Sequence, residues 1–173
     1  MTLYACWKPV EYTITYELGG GENAPGNPVS HSIESGSLPI SDPTRTGYNF
    51  LGWDVTGIDA LEADGKGGVC IPAGSVGNIT LTAKWEPIVY TITIDLVRGE
   101  TAEPNPDKYT IESEEIVLKN PTAEGYDFVG WTGTGLTEKT LTVVIPTGSV
   151  GNRSYKANWL PTDPGERIVA NAL

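Results

Sequence analysis

The sequence predicts a mainly β to α+β chain built from two tandem small modules, each holding at most a short helix. Three observations carry the prediction: an internal repeat spaced by 78 residues, period-two alternation at both ends of each copy, and a composition rich in turn formers. Self-similarity at a fixed period decides architecture before any local propensity does.

The repeat opens at Tyr12-Thr-Ile-Thr-Tyr-Glu-Leu18, matched by Tyr90-Thr-Ile-Thr-Ile-Asp-Leu96. It continues through Asn27-Pro28 and Asn105-Pro106, through Ile33-Glu-Ser35 and Ile111-Glu-Ser113, and through Pro43-Thr44 and Pro121-Thr122. It then reaches Gly47-Tyr48-x-Phe50-x-Gly52-Trp53 and Gly125-Tyr126-x-Phe128-x-Gly130-Trp131. Beyond Trp53 the offset falls to 74, where Ile71-Pro72-x-Gly74-Ser-Val-Gly-Asn78 matches Ile145-Pro146-x-Gly148-Ser-Val-Gly-Asn152 and Trp85 matches Trp159. Repeat 1 therefore carries four extra residues, placed most simply in the loop holding Ala63-Asp-Gly-Lys-Gly-Gly68.

These matches divide the chain into module 1 over 10–87 and module 2 over 88–161. Residues 3–9, Leu-Tyr-Ala-Cys-Trp-Lys-Pro, match Leu81-Thr-Ala-Lys-Trp-Glu-Pro87, so 1–9 is expected to be the last strand of a preceding repeat and the chain an excerpt of a longer array. Residues 162–173 match nothing in the repeats and are expected to be a linker or tail. A period this long suits a small autonomous domain better than one coil of a solenoid.

Alternation then places strands. Tyr12, Ile14, Tyr16 and Leu18 share one face of the opening strand, while Thr13, Thr15 and Glu17 share the other. Tyr90, Ile92, Ile94 and Leu96 repeat the pattern, and Leu81-x-Ala83-x-Trp85 and Tyr155-x-Ala157-x-Trp159 close the modules in the same way. A strand with one apolar and one polar face belongs to a sheet covered on one side only. Ile33 and Ile111 are expected in second strands over roughly 29–35 and 107–113, and Leu141, Val143 and Ile145 in another. The only helical candidates are short turns at 43–47, 74–78, 121–125 and 148–152, which Pro can open and Gly can close. Tyr48, Phe50 and Trp53 are expected to fill the core, each large aromatic burying about 150–250 Å².

Composition excludes several functions. Asp plus Glu number 22 against 11 Lys plus Arg, a formal charge of −11, which repels nucleic acid and anionic membranes. No stretch is long and apolar enough to span a membrane as a helix, and no signal peptide opens the chain. Cys6 and Cys70 occupy non-equivalent positions of different repeats and imply no disulfide framework.

The residues quoted above resemble the internalin B-repeat family, also called the Listeria–Bacteroides repeat. Its pattern is a Tyr-x-Ile/Val-x-Tyr/Phe opening strand, then Pro-Thr-x-x-Gly-Tyr-x-Phe-x-Gly-Trp, then a closing Leu/Tyr-x-Ala-x-Trp. The resemblance covers roughly residues 10–161 and the fragment 1–9. It implies a β-grasp-like, ubiquitin-like module of secreted and cell-wall-associated bacterial proteins, working in adhesion, host contact or as a spacer without catalysis. The Val-x-Ile-Pro-x-Gly-Ser-Val-Gly-Asn connector is longer here than in short members of the family.

No residue is assigned a catalytic, cofactor-binding or metal-binding role. His31 is the lone histidine and its counterpart is Tyr109, so the module does not need imidazole; a surface or strand-face position is expected. Asp59, Glu62 and Asp64 offer hard oxygen ligands in the inserted loop, but their spacing is not that of an EF-hand and module 2 lacks the loop, which favours a solvated acidic loop over a calcium site. Paired acids for glycoside hydrolysis would need a deep cleft, which small tandem modules rarely provide. Five tryptophans invite sugar stacking, yet Trp7, Trp85 and Trp159 recur at one position and Trp53 and Trp131 at another, which favours packing. Trp85, beside a Glu-Pro junction, is the candidate for a contact between repeats.

Gly19-Gly-Gly21 lacks the lysine of a phosphate loop and is expected to be a turn. Asn78-Ile-Thr80 and Asn152-Arg-Ser154 match the glycosylation sequon, although a Gly-Asn turn into a strand explains both. A Lys–Asn isopeptide bond would show as the loss of one ammonia in the intact mass. Leu160-Pro-Thr-Asp-Pro164 departs from the sortase signal in its last two residues.

The expected role is therefore a non-catalytic spacer or adhesion module outside the cell, with neighbouring repeats and an unidentified surface protein or glycan as partners. The alternative is an adhesin module with a real ligand site, its specificity carried by Ala60–Gly68 or Leu136–Lys139.

Overall fold

Strand alternation sets the first and last elements of each unit, and everything else in the unit is the crossover between them. The structure, a computed structural model, describes residues 2–162. The expected tail thus lies, except for Thr162, outside the described residues. The chain divides into two compact units between Glu86 and Pro87. The fold is mainly β, and no helix forms among the described residues.

Module 1 contains β1 (Tyr12–Glu17), β2 (Ser30–His31), β3 (Leu38–Ile40), β4 (Tyr48–Thr56), β5 (Glu62–Ala63), β6 (Val69–Ile71) and β7 (Ile79–Pro87). Its main sheet has the order β2-β1-β7-β4, with β1 and β7 parallel at the centre. Parallel neighbours require a long crossover, and here that crossover carries a second sheet of order β3-β6-β5. Ile14, Ile79 and Leu81 of the main sheet pack with Ile40 and Ile71 of the second sheet. The polar alternates Thr13, Thr15 and Glu17 stay exposed. Pro39 lies in β3, an edge strand, where a missing N–H is tolerated.

Module 2 contains β8 (Tyr90–Asp95), β9 (Lys108–Tyr109), β10 (Ile116–Val117), β11 (Tyr126–Gly133), β12 (Val144–Ile145) and β13 (Arg153–Pro161). The main sheet runs β11-β13-β8-β9, again with a central parallel pair, and β10 pairs with β12. The four extra residues of module 1 account for the difference between the second sheets. They let β5 fold back antiparallel on β6, giving three strands where module 2 has two. Asp64 closes that hairpin: its Oδ1 accepts from the backbone N–H of Lys66 at 2.7 Å and of Gly68 at 2.9 Å.

Four expected strands are shorter or absent. The segments around Ile33 and Ile111 are strand only at 30–31 and 108–109, and Ile33 is exposed. The cause is local: the Ser32 N–H donates to Ser35 Oγ and the Thr110 N–H to Ser113 Oγ, both at 2.9 Å, curling the chain out of the ladder. The strand expected at Leu141, Val143 and Ile145 keeps only Val144 and Ile145, as β12, and leaves Leu141 exposed, because β10 offers only two residues to pair with. Residues 2–10 form no strand, and Leu3, Tyr4 and Trp7 are exposed. Their counterpart β7 is strand because β1 and β4 flank it on either side; residues 2–10 have no such neighbours. The four candidate helical segments are turns and bends.

Candidate functional site

The residues that sequence reading singled out fall at three places shared by the modules and at the acidic loop of module 1, and in each place the structure first reveals a backbone role.

His31 sits on β2 and is only 2 % exposed, which removes a surface position and leaves the strand face. Its Nε2 lies 2.8 Å from the Gly77 carbonyl. A carbonyl only accepts, so Nε2 carries the proton. Tyr109, at the equivalent place on β9, donates its hydroxyl to the Gly151 carbonyl at 2.5 Å and accepts from Arg153 Nε at 3.0 Å. Two different side chains thus tie the second strand to the same Gly-Asn turn.

The asparagine of that turn acts on the opening strand. Asn78 Oδ1 accepts from the Thr13 N–H, and Asn152 Oδ1 from the Thr91 N–H, both at 3.0 Å. This holds the start of the parallel pair and explains the sequon-like strings. Asn27 and Asn105 imitate a strand partner. Asn27 accepts from the Ser41 N–H at 2.8 Å and donates to the Ser41 carbonyl at 3.0 Å; Asn105 does the same with Lys119 at 2.7 and 3.0 Å.

The tryptophans form one arrangement twice. Phe50 meets Trp53 and Trp85 edge-on at centroid separations of 5.1 and 5.4 Å; Phe128 meets Trp131 and Trp159 at 5.2 and 5.6 Å. Each such pair adds about 0.5–1.5 kcal/mol beyond burial. The Trp85 indole N–H donates to the Leu18 carbonyl at 2.8 Å, and that of Trp159 to Leu96 at 2.9 Å. Trp85 is therefore engaged within its own module, where its indole shares the Leu18 turn carbonyl with the Gly21 N–H at 3.0 Å.

The acidic loop serves itself. The two backbone N–H groups on Asp64 hold its carboxyl below the usual carboxylate range, first through Lys66 and then through Gly68. Among the described residues, no group of three or more His, Cys, Asp or Glu is placed to hold a metal ion. Cys70 is buried in β6, Cys6 is exposed, and both are free thiols.

One place differs between the modules, and sequence reading missed it. In module 2 the edge of the main sheet is covered at Trp131. Its N–H donates to the Thr140 carbonyl at 2.7 Å, and the Thr140 N–H returns to the Trp131 carbonyl at 3.1 Å. Trp131 is completely buried, and its indole N–H donates to Asn120 Oδ1 at 2.9 Å. In module 1, among the described residues, no second bridge covers the outer side of Trp53; the ring is half-buried, and the indole N–H is buried without a partner. Asp42 stands where module 2 has Asn120. A groove of about 600 Å³ runs along β4 there, lined by Asp42, Phe50–Val55, Asp59–Leu61 and Val69. The only signals in the sequence were the four-residue insertion and the Asn-to-Asp change.

Two tandem β modules, each holding its own core with duplicated residues, define a class of repeat domain. Residues 12–84 match the family model described as the Listeria-Bacteroides repeat domain, and residues 90–163 that described as the divergent InlB B-repeat domain. The two modules belong to this repeat family. The chain is 30 % identical over 134 residues to a protein of Evansella cellulosilytica named provisionally as a membrane protein, and 29 % identical over 131 residues to one named provisionally as a Gly-rich membrane protein of the same organism. Each match covers 76 % of this chain but only 19 % and 14 % of those proteins. No solved structure matches the chain. Among the described residues no helix is long and apolar enough to cross a membrane.

Proposed function

We propose that the two modules are a non-catalytic part of a bacterial cell-surface or secreted protein, acting as a spacer or as a protein-interaction unit in adhesion. One observation supports this most. The polar side chains that recur in the repeat, His31 or Tyr109, Asn27 and Asn105, Asn78 and Asn152, and Trp85 and Trp159, are bonded to their own module's backbone. A catalytic acid or base must reach a substrate proton, and these groups are committed to holding loops. Membership of the repeat family and the names of the matching proteins support a place at the cell surface. Only Ile88 and Val89 separate β7 from β8, a connection short enough to restrict hinge motion in a stalk.

The test places the modules between a cell-wall anchor and a reporter binding domain. Display of the reporter should match that obtained with unrelated β modules of equal length. Saturable binding of the isolated chain to host cells would instead favour an adhesin with its own ligand site, a reading supported by the open groove beside Trp53.

A further inference from the structure

Module 2 shows what the open groove of module 1 is shaped to receive. At the β11 edge a single residue of the connecting chain, Thr140, bridges the strand antiparallel and exchanges two backbone hydrogen bonds with Trp131. It passes so close that a Cβ on Gly130 would stand 2.9 Å from the Thr140 carbonyl oxygen. Around Gly52, the counterpart in β4, a Cβ would meet nothing within 4 Å. The insertion has drawn the corresponding chain away into the β5–β6 hairpin. It leaves an edge strand, a half-buried Trp53 and an indole N–H without a partner. Exposed edges are templates for added strands, and natural sheets usually cover them.

The lining also selects the occupant by charge. Asp42, Asp54 and Asp59 border the groove, and among the described residues only Asp54 is paired with a cation, Lys84 at 2.6 Å. We propose that the groove along β4 takes an extended peptide of a partner protein, which adds to the sheet edge at Trp53 and carries lysine or arginine toward Asp42 and Asp59. This goes beyond the spacer role and does not depend on it. A spacer with this edge filled would be a spacer that also docks a second chain.

The probe is a synthetic peptide copying residues 137–143, Thr-Glu-Lys-Thr-Leu-Thr-Val, added to the full chain and followed by amide and indole NMR. The amides of Gly52 and Trp53 and the Trp53 indole should shift saturably, while those of Gly130 and Trp131 stay put. Methylating the peptide nitrogen that corresponds to Thr140 removes one backbone hydrogen bond and should weaken binding about ten-fold. The exposed substitutions D42N and D59N should weaken the lysine-bearing peptide and leave a Lys-to-Gln peptide unchanged. Absence of saturable shifts at millimolar peptide, or equal binding by the methylated and scrambled peptides, overturns the proposal. So does a panel of oligosaccharides that moves the Trp53 indole when no peptide does, which would make the groove a sugar platform.

Discussion

His31 Nε2 stands 2.8 Å from the carbonyl of Gly77, and Tyr109 reaches the carbonyl of Gly151 from the equivalent strand in the other module. An imidazole and a phenol thus do one job, giving a half-buried glycine carbonyl its donor across the module. His31→Tyr is therefore expected to retain stability within about 1 kcal/mol, because the donor is kept and the equivalent site of module 2 accommodates a tyrosine. His31→Ala should lose about 2–4 kcal/mol, from the cavity and the unpaired carbonyl together. Denaturant titration of module 1, followed by its own indole resonances, separates the two. An alanine variant as stable as the tyrosine variant would show that the carbonyl needs no donor.

Asn27 replaces a strand partner for Ser41 through one accepted and one donated bond. Asn27→Ala should destabilise module 1 by about 1–2 kcal/mol, and Asn105→Ala module 2 by a similar amount. Hydrogen exchange at the Ser41 and Lys119 amides should accelerate in the respective variants. Unchanged protection at both amides would assign their order to the surrounding chain.

Val97 holds a φ of 63°, and Gly19, its counterpart, a φ of 57°. Glycine adopts this left-handed turn freely, whereas a β-branched residue is strained there by about 1–2 kcal/mol. The Val97 N–H donates to Asp95 Oδ1 at 2.9 Å, which holds the turn in spite of that strain. Val97→Gly should therefore stabilise module 2 by about 1 kcal/mol in thermal or denaturant unfolding. A loss of stability would mean that the half-exposed valine side chain contributes more than its backbone strain removes.

Tyr16 donates its hydroxyl to the Pro28 carbonyl at 2.8 Å, and burial pushes its pKa up from 10.0 to about 12. Burial disfavours the phenolate, so the folded state holds the proton more tightly than the unfolded chain. The resulting stability is complete below pH 10.0 and is lost as pH rises through about 12. Ile94 occupies the equivalent position, so the alkaline loss belongs to module 1. Comparing the pH dependence of unfolding in Tyr16→Phe with the parent chain checks this. A tyrosinate absorbance difference between them centred in the ordinary range would refute it.

The duplication exposed the modules, and the apolar alternation at 12–18, 81–85, 90–96 and 155–159 exposed their first and last strands, because side-chain direction in a strand follows directly from residue parity. The aromatic motif was legible as a repeat, but its depth was not: Trp131 is core, Trp53 and Phe128 pack against the cores half-buried, and Tyr48 and Tyr126 lie under Arg45 and Arg98. Three things needed the tertiary structure. The second strands stop early at His31 and Tyr109 because a serine hydroxyl three or four residues on captures a backbone N–H, a choice between local and ladder bonding that parity does not encode. Trp85 faces inward to the Leu18 carbonyl, which lies 67 residues away in sequence.

The open groove beside Trp53 depends on where four inserted residues fold. Sequence alignment of the two repeats located the insertion and the Asp42–Asn120 difference, but not their consequence. Sequence by itself determined the class of fold and the family of repeat, since both are written in periodicities along the chain. The tertiary structure decided which edge is covered and which is open, since that is set by hydrogen bonds between segments whose meeting no local pattern records.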